Sequence, residues 1–217
     1  MIIGLFFDLN SPLVRFLSKA VDIIFLNFLF IFFSIPLITI GASLTALYTV
    51  SMKIVRGEPV YIWRDFLGAF RSNFYQSSII WFMLCMGGII LFADLYFLNN
   101  LIGITKIFFF CFTFILSFLY LTIAIFVFPY MARFKDSIQK TLLNSLLIAF
   151  FHFPYLLLVM VFTVILFLFV VSSFAGFLTG IYVATFGGFS LFTLLASFLF
   201  IKLFTKYEVN KAETVDC

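Results

Sequence analysis

The stretch Ser34-Ile-Pro-Leu-Ile-Thr-Ile-Gly-Ala-Ser-Leu-Thr-Ala-Leu-Tyr48 interrupts an apolar region with a proline, a glycine and small hydroxylated side chains. Proline removes a backbone donor and clashes with the preceding helical turn, and glycine loosens the chain. In lipid, backbone that leaves the helix must find partners inside the protein or beside water. A break of this kind is therefore expected to be buried against other helices or to line a cavity. The stretch runs on into a charged loop, with Arg56-Gly-Glu58 and then Tyr61-Ile-Trp-Arg-Asp-Phe66. Within it, Pro36, Gly41, Ser43, Tyr48, Arg56, Arg64 and Asp65 are the candidate structural or functional residues.

Composition explains why lipid is the relevant solvent. Hydrophobic residues make up 65% of the chain and charged residues 10%, whereas soluble domains carry about 25% charged residues. The charges are clustered, leaving 23–52, 72–93, 107–132 and 141–201 free of Asp, Glu, Lys and Arg. Each run is long enough to cross a hydrocarbon core of about 30 Å, which takes about 20 helical residues, and the last is long enough to cross twice. The sequence thus predicts an all-α, polytopic transmembrane bundle of five to six membrane segments plus a short interfacial amphipathic helix. Its length of 217 residues fits a single integral membrane domain over 1–217. The 37 phenylalanines read as lipid-facing and packing bulk; no repeated basic residues pair with them as in a nucleic-acid platform, so no nucleic-acid partner is expected.

Working outward from the break, Asn10-Ser-Pro12 reads as a helix start, with Ser11 as N-cap and Pro12 at the first helical position. A helix over about 12–34 follows. The segment 36–56 is short: its regular part rises only about 22 Å, so it either starts near Pro36 and spans, or re-enters. Gly57, after Lys53 and Arg56, is a natural C-cap. Between 62 and 73, Trp63, Phe66, Leu67 and Phe70 recur at helical spacing, with Arg64, Asp65 and Arg71 on the other side. This pattern predicts a helix in the headgroup layer, or else an amphipathic start to the next span. Further spans are expected at about 74–98, 102–131, 141–171 and 177–204. In the last, Gly176, Gly180, Ala184 and Gly188 lie four apart. Such a stripe lets helix backbones approach closely; a substrate groove is the alternative reading.

Charge sets the expected orientation. With six crossings, Arg15 and Lys19, the loop with Lys53, Arg56, Arg64 and Arg71, the loop with Arg133, Lys135 and Lys140, and the tail with Lys202, Lys206 and Lys211 share one side. The positive-inside rule makes that side cytoplasmic and places both termini there, in a multi-pass protein of the cell membrane. A five-crossing count moves Arg15 and Lys19 outside. The N-terminus carries Asp8 and no basic start before its first apolar run, so the first span is expected to stay in the mature protein.

Motifs of catalysis are not found. One histidine, His152, cannot build a multi-histidine metal site, and no zinc helix, nucleophile elbow or phosphate loop occurs. Cys85, Cys111 and Cys217 have no metal or redox spacing, and Cys217 is not four from the end, where prenylation needs it. Asp22 and Asp94 fall near span ends, where a carboxylate reaches water. His152 reads as a satisfied residue beside a Pro154 kink. No enzyme activity and no cofactor are expected.

Pro36-x-x-Thr-Ile-Gly-Ala-Ser43, Ala46-Leu-Tyr48, Arg56-Gly-Glu58, Tyr61-Ile-x-Arg-Asp-Phe66 and Phe70-x-x-Asn-Phe74, preceded by Asn10-x-x-x-x-Arg-Phe-Leu17, resemble the YesL-like family, domain of unknown function 624. The specific part of the resemblance is 10–81. It implies a bacterial integral membrane protein, mostly of Gram-positive bacteria, encoded near carbohydrate uptake and degradation systems. The family has no established catalytic or binding residues to carry over.

Three functions follow as expectations. The first is an accessory or regulatory component of oligosaccharide uptake, with the lipid bilayer and the permease subunits of a sugar ABC transporter, or a second copy of itself, as partners. The second is an autonomous small-molecule transporter or channel using the broken segment. The third, an enzyme acting on lipid or lipid-linked sugar, would depend on His152 or Asp94. Few polar residues fall at mid-membrane, among them Asn27, Ser117, Asn144 and His152, which favours the first.

Overall fold

The computed structural model describes residues 12–98 and 100–215; the Ser11 cap and Cys217 lie outside them. Helix α1 covers Pro12–Ser34. At the proline the helix gives way for only a few residues: a 3-10 turn at Leu37–Thr39 leads directly into α2, Ile40–Val55. Pro36 is extended, with φ −73° and ψ 112°. The Thr39 hydroxyl lies 2.5 Å from the Phe33 carbonyl and 2.6 Å from that of Pro36, so the break covers its own freed acceptors. With its 3-10 turn, the second segment runs over Leu37–Val55, 19 residues, rising about 28 Å. That is long enough to cross, where the shorter count left re-entry open.

Helix α3 runs unbroken over Ile62–Leu98, 37 residues. The separate interfacial helix at 62–73 is therefore corrected: those residues are the first turns of the following span. The reason lies in one continuous buried stripe, Phe66, Ala69, Ser77, Ile80 and Leu84, which keeps helical phase through position 74 and packs on α2. At about 1.5 Å per residue α3 is about 55 Å long, nearly twice a hydrocarbon core. Its charged first turns thus project beyond the apolar layer.

Helix α4 covers Ile104–Arg133. The expected single span at 141–171 is corrected to two helices, α5 at Ile138–Phe151 and α6 at Phe153–Ser172, parted at His152, whose φ is −119° and ψ 45°. Pro154 falls in the first turn of α6, where a missing N–H costs nothing. The histidine ring lies over the carbonyl of Ile148, 3.2 Å from Nδ1. The expected helix at 177–204 is likewise divided. Helix α7, Phe174–Val183, passes through a π turn at Ala184–Gly188 into α8, Phe189–Val215. Gly187 has φ +148° there, a conformation that favours glycine.

Helix α2 is the centre of the assembly, packed against α3, α8, α4 and α1. One apolar cluster joins Leu26 and Phe30 of α1 to Leu47 and Val50 of α2 and Phe66 of α3. The larger joins Tyr48 and Met52 of α2 to Ile80 of α3, Phe126 and Tyr130 of α4, Ile148 of α5 and Phe200 of α8. By contrast, only Leu156 and Val159 of α6 are buried. Its remaining apolar surface is what a helix in lipid presents.

Among the described residues, six helical segments are long and apolar enough to cross a membrane: Leu17–Ser34, Leu37–Val55, Ile62–Leu98, Ile104–Arg133, Phe153–Ser172 and Phe174–Thr205. No strand occurs among these residues.

Candidate functional site

The residues singled out around the break divide between helix packing and two cavities. Gly41 is where α2 meets α3 most closely. A Cβ added there would lie 2.5 Å from the Ser77 carbonyl oxygen and 2.8 Å from the Trp81 Cβ, so only glycine fits without a shift of the helices. One turn on, the Thr45 and Ser77 hydroxyls meet at 3.0 Å. Ser43 is fully buried, and its hydroxyl has no hydrogen-bond partner among the described residues. Pro36 is exposed and serves the turn.

Tyr48 is buried in the core and sets its ring edge-on to Phe200, with centroids 6.0 Å apart. It also lines an open apolar cavity of about 440 Å³ bordered by α2, α6, α7 and α8, with Leu44, Phe169, Val170, Gly180 and Phe192 among its walls. Three members of the small-residue stripe, Gly180, Ala184 and Gly188, border this cavity. Gly180 meets Val170 of α6, whose Cγ2 would be 2.8 Å from an added Cβ. Gly176 meets α6 as well, at the Phe169 carbonyl, whereas Gly188 abuts the Val183 carbonyl in the preceding turn of its own segment.

Ala184 has a role that spacing did not reveal. The Asn27 amide nitrogen donates to the carbonyls of Ala184 and Thr185, at 2.8 and 2.9 Å. Its oxygen accepts from the Ser190 N–H at 3.3 Å. A single buried side chain from α1 thus satisfies backbone freed at the π turn, which bilayer lipid cannot do. Asn27 is fully buried. It was visible in the sequence only as one polar residue in an apolar run.

The charged loop is built by local rules. After α2, the Gly57 N–H donates to the Ile54 carbonyl and the Glu58 N–H to that of Lys53, both at 3.1 Å. Gly57 itself has φ +71°; these are the paired bonds of a glycine-closed helix end, as expected at that position. Arg56 pairs with Glu58 at 3.1 Å and donates to the Met52 carbonyl. Asp65, in the first turn of α3, accepts from the Tyr61 N–H at 2.9 Å and pairs with Lys53 at 3.0 Å. One carboxylate therefore caps α3 and ties it to the end of α2.

Beside this pair opens a second cavity, of about 420 Å³ and polar in character, lined by Lys53, Arg64, Asp65 and Asn73 and, from α4 and the residues after it, Arg133 and Lys135. Four cations face one carboxylate there, and that carboxylate is already engaged by Lys53. Sequence reasoning used Arg133 and Lys135 only for orientation, and Lys53 for that and for the end of α2; their convergence is tertiary. Among the described residues, no group of three or more His, Cys, Asp or Glu side chains is placed to hold a metal ion.

The fold and the buried polar contacts define a polytopic helical membrane protein. Residues 23–95 match the model of a family described as "Protein of unknown function, DUF624", which bears out the resemblance over the second half of α1, all of α2 and most of α3. No curated protein and no solved structure matches the chain.

Proposed function

We propose that the protein is a non-enzymatic multi-pass protein of the cell membrane that serves carbohydrate uptake as an accessory or regulatory component, docking its helices on the permease subunits of a sugar transporter. The observation that carries this reading is that the amide and several hydroxyl groups inside the bundle bond to one another or to backbone, while the buried hydroxyls of Ser34, Ser43, Ser78, Ser190 and Ser197 stay without a partner among the described residues. Asn27 bonds to the backbone of the π turn, Thr45 to Ser77, Ser51 to Thr193, and the Tyr120 hydroxyl to the Leu84 carbonyl. A sugar-translocating site needs hydroxyl and amide groups turned toward the substrate. The cavity among α2, α6, α7 and α8 is walled almost wholly by hydrocarbon. The sugar link rests on the family resemblance, and the cytoplasmic placement of both termini on the positive-inside rule.

The test is purification of the tagged protein from its native membrane in mild detergent, with co-purifying proteins identified by mass spectrometry. Sugar-permease subunits in stoichiometric amount are the expected result. A homo-oligomer alone, together with unchanged oligosaccharide uptake after deletion of the gene, would overturn the reading.

One observation favours a second reading, an autonomous transporter of small molecules. Tyr48 borders the apolar cavity, and its hydroxyl makes no hydrogen bond among the described residues. Flux of an amphiphilic solute into liposomes containing the purified protein, abolished by Tyr48→Phe, is the result this reading requires.

A further inference from the structure

We propose that the polar cavity between the ends of α2, α3 and α4 binds a phosphate-bearing anion. Lys53 comes from the last turn of α2, Arg64 from the first turn of α3, Arg133 from the end of α4, and Lys135 from the loop after it. Three separate elements thus bring four cations to one concave space. The single opposing carboxylate, Asp65, is held by Lys53 and by the Tyr61 N–H. Arg64 and Lys135 are exposed and make no side-chain hydrogen bond or ion pair among the described residues. Positive charge gathered in this way costs self-repulsion, which an anion relieves.

Phosphate is the anion this arrangement suits. Its several acceptor oxygens can each take a donor from a different direction, and guanidinium groups meet them with paired N–H bonds. A volume of about 420 Å³ holds more than the phosphate itself, leaving room for the group esterified to it. On the cavity wall the Ser72 hydroxyl and the Asn73 amide nitrogen donate to the Ala69 carbonyl, which leaves the Asn73 amide oxygen as the neutral acceptor for that remainder. Two sources share this chemistry: the headgroup of an anionic phospholipid and a water-soluble phosphate ester. The cavity lies at helix ends that flank apolar spans, the position at which basic pockets between transmembrane helices take lipid headgroups.

The test uses the full chain purified in a neutral detergent. Binding is read by native mass spectrometry and by the shift of the thermal unfolding midpoint, with phosphatidylglycerol, phosphatidylcholine, glycerol 1-phosphate and inorganic phosphate as probes. Anion binding at this cavity is expected to be roughly tenfold tighter than that of phosphatidylcholine, the worth of one charge-assisted hydrogen bond. Preference for phosphatidylglycerol with no effect of the soluble esters identifies a lipid headgroup; a shift with glycerol 1-phosphate identifies a soluble ester. Either result, with a response to inorganic phosphate taken as recognition of the phosphate group itself and not of an ester, supports the proposal only if the Arg64→Gln, Lys135→Gln double variant loses it.

A second variant keeps all the charge. Gly68 lines the cavity, and an added Cβ there meets nothing within 4 Å, so Gly68→Leu is expected to occupy part of the space with its branch point free of clashes. It too is expected to abolish the preference, whereas Lys140→Gln, outside the cavity, leaves it intact. Binding that survives Gly68→Leu, falls equally in Lys140→Gln, or does not occur with any anionic probe overturns the proposal.

Discussion

The amide nitrogen of Asn27 lies 2.8 Å from the carbonyl oxygen of Ala184, joining the first described helix to the kink of the last span. The π turn at 184–188 exists because Gly187 adopts a left-handed backbone, and it is tolerated in an apolar setting because Asn27 covers the acceptors it frees. The two features depend on one another. Asn27→Leu keeps the volume and removes three bonds, and is expected to destabilise the fold by about 1–2 kcal/mol, the range for interhelical polar contacts in membranes. Equilibrium unfolding in mixed micelles measures it. An unchanged midpoint would mean that the turn satisfies its carbonyls without help from α1.

Two glycines of similar appearance in the sequence are expected to behave oppositely. Gly41→Ala places a methyl 2.5 Å from the Ser77 oxygen, at the crossing of the most extensively packed helix pair. Forcing it in costs about 1–3 kcal/mol. Gly68→Ala meets open space and gains helix propensity, so it is expected to stabilise by up to about 1 kcal/mol. Thermal midpoints of the two variants in one detergent suffice, and a loss at Gly68 matching that at Gly41 would contradict the packing described.

What the sequence made legible follows from which interactions are local. Gly57 was readable as a helix end because every bond of that motif falls between Lys53 and Glu58. The membrane segments were readable because a charge-free run of sufficient length needs no partner to identify it. The helix at 62–73 was not, since a helix lying in the headgroup layer and the amphipathic start of a long span have the same periodicity. Only the stripe from Phe66 to Leu84 against α2 decides between them. Gly187 lies beside the stripe at 176, 180, 184 and 188 and drew no reading of its own, because spacing carries no record of φ. The basic cavity was hidden for a different reason: Lys53 and Arg133 meet only after α2 and α4 pack together.

Pro154 illustrates a break whose cause is shared. The chain leaves the helix at His152, and Pro154 then sits in a first turn that needs no N–H from it. Pro154→Ala is therefore expected to cost only about 0.4–1 kcal/mol, through the greater freedom of the unfolded chain. A stabilisation of more than 1 kcal/mol in the same unfolding assay would show instead that proline strains a helix trying to run straight through.

Lys53 and Asp65 are partners at 3.0 Å, yet removing one should not equal removing the other. Lys53→Met deletes a half-exposed ion pair and leaves the Asp65 carboxylate on the Tyr61 N–H. The expected cost is about 0.2–1 kcal/mol, and it shrinks as salt is added. Asp65→Ala deletes the pair and also the bond that starts α3, a charge-assisted contact worth about 1.5 kcal/mol or more on its own. That second part does not depend on salt to the same degree, because the donor is backbone at hydrogen-bond distance. Unfolding both variants at low and high ionic strength therefore separates the two roles of one carboxylate. Equal losses at both salt concentrations would reduce Asp65 to an ion-pair partner and remove its part in beginning the helix.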